Sequence, residues 1–212
     1  MPDLLKEIEE NTFLGNGPTV KELTAKAVEK GLAPRDILQK ALMPAMDEVG
    51  RRMKDGEYYI PEVLISARSM KMALEVLRPL LADSKMKPLG TIALGTVKGD
   101  LHDIGKNVVG MMLEGAGFTV VDLGTDVSPQ QFIAAVREHN AELVGMSALL
   151  TTTMVAMKET IEAFQQAGLR NRVKILVGGA PLTQAYAEQI GADGYAPDAA
   201  SAMDIARQLV KP

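Results

Sequence analysis

From Thr91 to Leu209 short apolar runs alternate with longer amphipathic ones, and few folds accept that rhythm. The runs Thr91–Thr96, Thr119–Leu123, Leu143–Ser147, Lys174–Val177 and a weak one near Tyr195 have the length and composition of buried strands. Gly105–Glu114, Pro129–Glu138, Thr152–Gln166, Leu182–Ile190 and Ala199–Leu209 have the length and spacing of helices. Strand, helix and strand in succession require right-handed crossovers, hence a parallel sheet covered on both faces. Five strands wound in this way most often take the order 2-1-3-4-5. A ligand crevice then opens at the carboxyl ends of strands 1 and 3, where the winding reverses.

Ahead of residue 87 the rhythm is helical almost throughout. Leu4, Leu5 and Ile8 mark a first short helix, ended by Gly15-Asn16-Gly17-Pro18, and Thr19–Glu29 forms a second, stopped by Gly31. Pro34 opens a third, in which Ile37, Leu38, Leu42, Met46 and Val49 return at helical spacing. Pro44 is expected to perturb its middle, since proline lacks the N–H and crowds the preceding turn. Asp55-Gly56-Glu57 then breaks the chain before a long helix, from about Pro61 to Leu81, with Val63, Leu64, Ala67, Met70, Leu74 and Leu77 on one face. Four helices joined by short turns make a small up-and-down bundle. Residues 83–88 are polar and aperiodic, a linker between two expected domains, 1–86 and 87–212. The fold class is thus α + α/β: a four-helix bundle followed by a flavodoxin- or Rossmann-like doubly wound sheet of five parallel strands.

Composition narrows function by exclusion. With 27 acidic against 23 basic residues, a net charge of -4 and no basic stripe, the chain lacks the footprint of a nucleic-acid binder. Cysteine is absent, which removes disulfides, thiolate metal sites and cysteine nucleophiles and fits a reducing cytoplasm. The acidic start MPDLLKEIEENTF is no signal peptide and no apolar run is long enough for a bilayer, so a soluble cytoplasmic protein is expected. The 13 Met fit an adaptable helical core, with a cavity lining as the other reading.

The chemistry collects where the first strand becomes a helix, in Gly99-Asp100-Leu101-His102-Asp103-Ile104-Gly105. Asp100, two residues before His102, can hydrogen-bond one ring nitrogen, fixing the tautomer and raising the basicity of the other nitrogen as a metal ligand. A lone histidine makes a poor site for bare zinc, but a good axial ligand for a metal whose other positions a macrocycle fills. His139, beside Asn140 at a helix end, reads as a C-terminal cap without chemistry. Strands 3 and 4 end at Ser147-Ala148-Leu149, shortly before Thr151-Thr152-Thr153, and at Gly178-Gly179-Ala180. Separately, the threonines read as a helix N-cap and the glycines as a strand end. Together they offer hydroxyls and backbone free of Cβ to a bulky ligand. Tyr58 and Tyr59, at the entrance to the long helix, read either as a staple or as a lid over a ligand.

Asp100-Leu101-His102-Asp103-Ile104-Gly105 resembles the Asp-x-His-x-x-Gly signature of cobalamin-binding domains. Ser147 and Leu149 match that family's Ser-x-Leu element and Gly178-Gly179 its Gly-Gly element, in the expected order over about residues 88–211. GEYYIPEVLISARSMK is similar to the cap helix ahead of this domain in methionine synthase and in the small corrinoid proteins of methyltransferase systems. The resemblance implies a cobalamin held base-off, with His102 as the protein ligand to cobalt, Asp100 bonded to His102, and Thr153, where the family often has serine, extending the pair to a relay. Gly99, Leu101, Asp103, Ile104 and Gly105 would belong to the loop below the corrin. Ser147, Leu149, Thr151, Gly178, Gly179 and Ala180 would line a slot for the nucleotide tail, and Tyr59, Val63 and Met70 would cover the upper face.

A corrinoid so held implies a methyl carrier cycling between cobalt(I) and methyl-cobalt(III), with methylcobalamin as the loaded form. The implied partners are a substrate-specific methyltransferase, a second methyltransferase acting on tetrahydrofolate, tetrahydromethanopterin or a thiol coenzyme, and a reductive activator. The chain would be a corrinoid subunit rather than an independent enzyme, with no catalytic residue of its own. The methyl donor stays open among methoxylated aromatics, as in an O-demethylase system, methylamines, betaines and methanol, with aromatics and amines ahead. A cobalamin-sensing regulator would normally carry an added helix-turn-helix. The cobalamin-binding subunit of a mutase, working with adenosylcobalamin, shares the loop signature without the helical cap. A flavodoxin-like interaction domain without cofactor leaves the three spaced motifs unexplained.

Overall fold

The computed structural model describes residues 2–83 and 88–210, and the chain divides into two compact units, one helical and one α/β. Residues 84–87 of the expected linker lie outside the described residues.

The first unit consists of α1 (Pro2–Phe13), α2 (Gly17–Glu29), α3 (Pro34–Ile37) running on into α4 (Met43–Lys54), and α5 (Ile60–Asp83). Between α3 and α4 the helix widens into a π turn at Leu38–Leu42, where Met43 N–H reaches back to Leu38 O. This is the perturbation expected from Pro44. Its ring would strike the Lys40 carbonyl in a regular helix, and the wider turn just ahead relieves the clash. Ile37, Leu38, Leu42, Met46 and Val49 are all buried, as are Val63, Ala67, Met70, Leu74 and Leu77 of α5. Each large apolar side chain so buried stabilises the fold by about 1.5–3 kcal/mol relative to exposure. The turn into α2 packs hard on α5, since a Cβ on Gly17 would come within 2.6 Å of Met72 Sδ.

The two adjacent tyrosines part company at the start of α5. Tyr58 stacks on Phe13 with ring centroids 5.3 Å apart, and the Arg52 guanidinium lies 4.2 Å from the Phe13 centroid, held by Glu48 at 2.9 Å. Tyr58 is therefore a clasp within the unit. Tyr59 is 69% exposed, and its N–H donates to Glu62 Oε2 at 3.0 Å to open the helix.

The second unit runs β1 (Thr91–Thr96), α6 (Ile104–Gly115), β2 (Thr119–Asp122), α7 (Pro129–His139), β3 (Leu143–Ser147), α8 (Val155–Gln166), β4 (Lys174–Gly178), α9 (Gln184–Ile190), β5 (Gly194–Ala196) and α10 (Ala199–Leu209). The strands are all parallel in the order β2-β1-β3-β4-β5, with Ile92 paired to Val120 on one side and Leu143 on the other. Alternation splits the sheet's side chains between two layers. Ala93, Val144, Met146, Ile175 and Val177 pack with Phe132 of α7 and Ile161 and Phe164 of α8. Leu94 and Leu176 point to the other face, where Leu94 reaches Gly110 of α6, and Ile205 of α10 abuts Gly194.

Caps fix where several helices begin. Ser128 and Gln131 form a capping box on α7, the Thr183 hydroxyl accepts from Tyr186 N–H, and Asp198 accepts from Ser201 N–H. The start of α8 differs from expectation: it begins at Val155 rather than Thr152, because residues 151–154 form a turn held by a partner far away in sequence. None of the described helices is long and apolar enough to cross a membrane.

Candidate cofactor site

The strand order reverses between β2-β1 and β1-β3, so the loops leaving β1 and β3 splay apart at the carboxyl edge. The functional groups gather there around one fully buried carboxylate. Asp100 Oδ1 accepts the His102 N–H at 3.1 Å and bonds His102 Nδ1 at 2.7 Å. Its Oδ2 accepts Leu149 N–H at 2.7 Å, Leu150 N–H at 3.3 Å and the Thr153 hydroxyl at 2.7 Å. Burial alone would push the Asp100 pKa up. Hydrogen bonds from Leu149 N–H, the Thr153 hydroxyl and His102 outweigh that and hold it well below the usual carboxylate range. An ionised carboxylate only accepts, so Nδ1 of His102 carries a proton and, in the neutral ring, Nε2 carries the lone pair. The ring is 51% exposed, which leaves room for an incoming metal.

The loops around His102 expose a row of apolar side chains. Leu101 (74%), Ile104 (67%), Leu149, Leu150 and Val155 are exposed large hydrophobics on the same two loops and the helix ends they join. Such a concentration at one edge marks a ligand face. Gly105, second residue of α6, has open space where a Cβ would be. Among the described residues no group of three or more His, Cys, Asp or Glu could hold a metal ion, and His102 offers a single oriented nitrogen.

Residues 90–204 match the model of the B12 binding domain, and residues 4–78 match a second B12 binding domain model. A corrinoid protein of Desulfitobacterium hafniense strain Y51 is 43% identical over 98% of this chain and 97% of its own length. The chain belongs to the corrinoid proteins. A dimethylamine corrinoid protein of Methanosarcina barkeri is 42% identical over 98% of each chain. In the crystal structure of the methanol:cobalamin methyltransferase complex from Methanosarcina barkeri, one chain superposes with a TM-score of 0.87 at 33% identity, covering 98% of this chain and 80% of that one.

The cofactor of a corrinoid protein is a cobalamin-type corrinoid, and the edge just described fits it: one oriented imidazole, an apolar rim and open space over Gly105. The residues expected at the site separate into groups. Gly99, Asp100, Leu101, His102, Asp103, Ile104 and Gly105 form the β1–α6 loop and the start of α6, with Asp100 buried and 101–105 exposed. Ser147 ends β3 half-buried, Leu149 and Thr151 are exposed on the following turn, and Thr153 is buried against Asp100. The threonines are therefore not a simple N-cap: α8 has no side-chain cap, and the Thr153 hydroxyl reaches across to the β1 loop.

Ala180 is exposed beside Gly178 and Gly179, but the space these two glycines leave is taken by the protein itself. A Cβ on Gly178 would lie 2.9 Å from Ala196 O, and one on Gly179 would lie 1.8 Å from Ala148 O. Of the residues expected to cover a ligand from the helical unit, Tyr59 offers surface, whereas Val63 and Met70 are buried at 0% and 1% exposure.

Sequence reasoning passed over three supports. The Thr96 hydroxyl, fully buried, donates to His102 O at 2.8 Å. Asp126 accepts Gly99 N–H at 2.7 Å. Lys106, with a side chain 1% exposed, donates to Asp122 Oδ1 at 2.5 Å and Asn107 Oδ1 at 2.7 Å. The signal available in the sequence was the strand order, which sets the loop after β2 beside the loop after β1. Asp122→Ala should cost about 3 kcal/mol, because it leaves a buried ammonium with only an amide oxygen. Lys106→Met should cost less, since half-exposed Asp122 returns to water. Urea melts of the two variants check the order.

Proposed function

We propose that this corrinoid protein is a methyl carrier, receiving a methyl group on its cofactor from a substrate-specific methyltransferase and presenting it to a second methyltransferase. The observation that carries the reading is the Thr153–Asp100–His102 chain, with its half-exposed imidazole on an apolar edge. When bound, the corrinoid supplies a cobalt centre that accepts and releases the methyl group. His102 Nε2, the ring nitrogen not engaged by Asp100, would hold the metal. Asp100 fixes the ring's direction and tautomer and increases its donor strength, and Thr153 holds Asp100 from behind. With Nδ1 committed to Asp100, Nε2 is the one ring position that would be open to a metal or a proton.

Leu101, Ile104, Leu149 and Leu150 exclude water below the macrocycle. Gly99, Asp103 and Gly105 line the approach, and Ser147, Leu149, Thr151 and Ala180 the slot for the nucleotide tail, which Gly178 and Gly179 bound through backbone packed on Ala196 and Ala148. Residues 1–86 form the helical domain that this reading assigns as the cap, and Tyr59 is its exposed candidate. The protein works in the cytoplasm with a reductive activator that returns oxidised corrinoid to the active state.

Methylamines are the donor class with most support, since relatives such as the dimethylamine corrinoid protein match along nearly the whole chain. The test is reconstitution with cobalamin followed by candidate methyltransferases, each with its methylamine, methoxylated aromatic, betaine or methanol. A change in the corrinoid absorption spectrum that needs both enzyme and donor is the expected result, and its absence in every pairing removes the carrier reading. His102→Ala should bind cobalamin without histidine ligation. Nitrogen coupling persisting unchanged in the electron paramagnetic resonance (EPR) spectrum of its cobalt(II) state would overturn the axial assignment.

A further inference from the structure

The loop bearing His102 is also held from the connection between β2 and α7, which offers no ligand group of its own. Asp126, on the connection between β2 and α7, accepts Gly99 N–H on Oδ1 at 2.7 Å, and its own N–H donates to Asp100 O at 3.0 Å. Two hydrogen bonds in opposite directions thus clasp the β1–α6 loop to the β2–α7 loop. Asp126 makes them from a left-handed backbone, φ 54°, which among the described non-glycine residues only Asn140 shares. Side chains rarely adopt that conformation, and it persists where the surroundings demand it. Gly99 also has positive φ, 83°, so the clasp needs unusual backbone on both sides.

The geometry around Asp100 shows what the clasp controls. Its carboxylate is anchored on the β3 side, to Leu149, Leu150 and Thr153, while its carbonyl is anchored on the β2 side, to Asp126. His102 hangs from that doubly tethered residue through its N–H and Nδ1. With the Asp126 side chain removed, Gly99 N–H loses its acceptor while Asp126 N–H still holds Asp100 O, so the turn leading into Asp100 loosens and sets the imidazole's direction less firmly. Lys106 grips the same edge one helical turn further on, through Asp122.

We propose that Asp126 is a positioning residue for the axial histidine, acting through Gly99 and Asp100 rather than by touching the corrinoid. This rests on the reading of His102 as the axial ligand. The test uses the full chain reconstituted with cobalamin, as wild type and as Asp126→Asn, Asp126→Gly and Asp126→Ala. It measures nitrogen coupling in the cobalt(II) EPR spectrum, the cobalamin dissociation constant and the urea midpoint. Asn keeps both the acceptor oxygen and tolerance of left-handed backbone, so coupling should stay full. Gly keeps the backbone freedom and loses the acceptor, so the coupled fraction should fall by half or more and cobalamin should bind about 10-fold more weakly. Ala loses both and should bind no more tightly than Gly.

Full coupling in Asp126→Gly overturns the proposal, whatever its urea midpoint. So does an Asn variant as uncoupled as the Gly variant. A wild-type spectrum with no nitrogen coupling would instead fail the axial reading, and this proposal with it.

Discussion

Asp100→Ala should lower the stability of the α/β unit by about 3 kcal/mol, since a buried donor stripped of its acceptor costs about 1–3 kcal/mol and such costs do not simply add. Five donors converge on this carboxylate, and they do not suffer equally. The Thr153 hydroxyl has Leu150 O as a second acceptor at 2.9 Å, and the half-exposed His102 ring can turn to water. Leu149 N–H and Leu150 N–H have no second acceptor among the described hydrogen bonds.

Asp100→Asn is the more informative variant. Keeping oxygen towards Leu149 and Thr153 turns the amide NH2 towards His102, which can then accept at Nδ1 only by moving its proton to Nε2. The nitrogen meant for the metal would be protonated. The variant should fold, bind cobalamin and show little nitrogen coupling. Undiminished coupling would mean that Asp100 does not set the tautomer.

The acid side follows from the same bonds. A carboxylate whose folded pKa lies below its unfolded value of about 3.9 contributes stability that is fully present above that value and is lost as pH falls through the folded one. The urea midpoint difference between wild type and Asp100→Ala should therefore stay constant from pH 7 to about 5 and shrink in stronger acid.

Much of this architecture is legible in the chain because local and tertiary preferences agree. Thr91–Thr96 and Leu143–Ser147 are central strands whose nearly unbroken apolar runs match their burial on both faces. Ala199–Leu209 carries its own start signal in Asp198. Legibility fails where a distant partner decides. Thr151-Thr152-Thr153 looks like a helix cap, yet Thr153 is claimed by a carboxylate 53 positions earlier. Tyr58 and Tyr59 are alike in sequence, but only Tyr58 finds Phe13 to stack on. Val63 and Met70 recur at core spacing on α5, and their burial follows that periodicity. Asp126 could not be tied to Gly99 by any local pattern, because only the placing of β2 beside β1 makes them neighbours.

Gly179→Ala should be among the most damaging single substitutions in the α/β unit, costing about 4 kcal/mol or preventing folding. The added Cβ would sit 1.8 Å from Ala148 O at a φ of 134°, so both the contact and the backbone conformation oppose it. The obstacle is main chain. Ala148 N–H is bonded to Gly178 O, and the next amide, Leu149 N–H, is the one that grips Asp100, so any retreat of Ala148 pulls on the His102 network. Gly178→Ala meets Ala196 O at 2.9 Å, also main chain, so β4 and β5 must part, but without a positive φ it should cost less, about 1–3 kcal/mol.

Gly105→Ala provides the contrast, since nothing lies within 4 Å of the new methyl and alanine favours the helix by up to about 1 kcal/mol. That variant should melt no lower than wild type yet bind cobalamin more weakly, because its methyl enters the space left for the ligand. Urea melts and cobalamin titrations of the three variants therefore separate glycines required by the chain's own backbone from the one that leaves room for the cofactor. Equal melting of Gly179→Ala and Gly105→Ala would contradict that division.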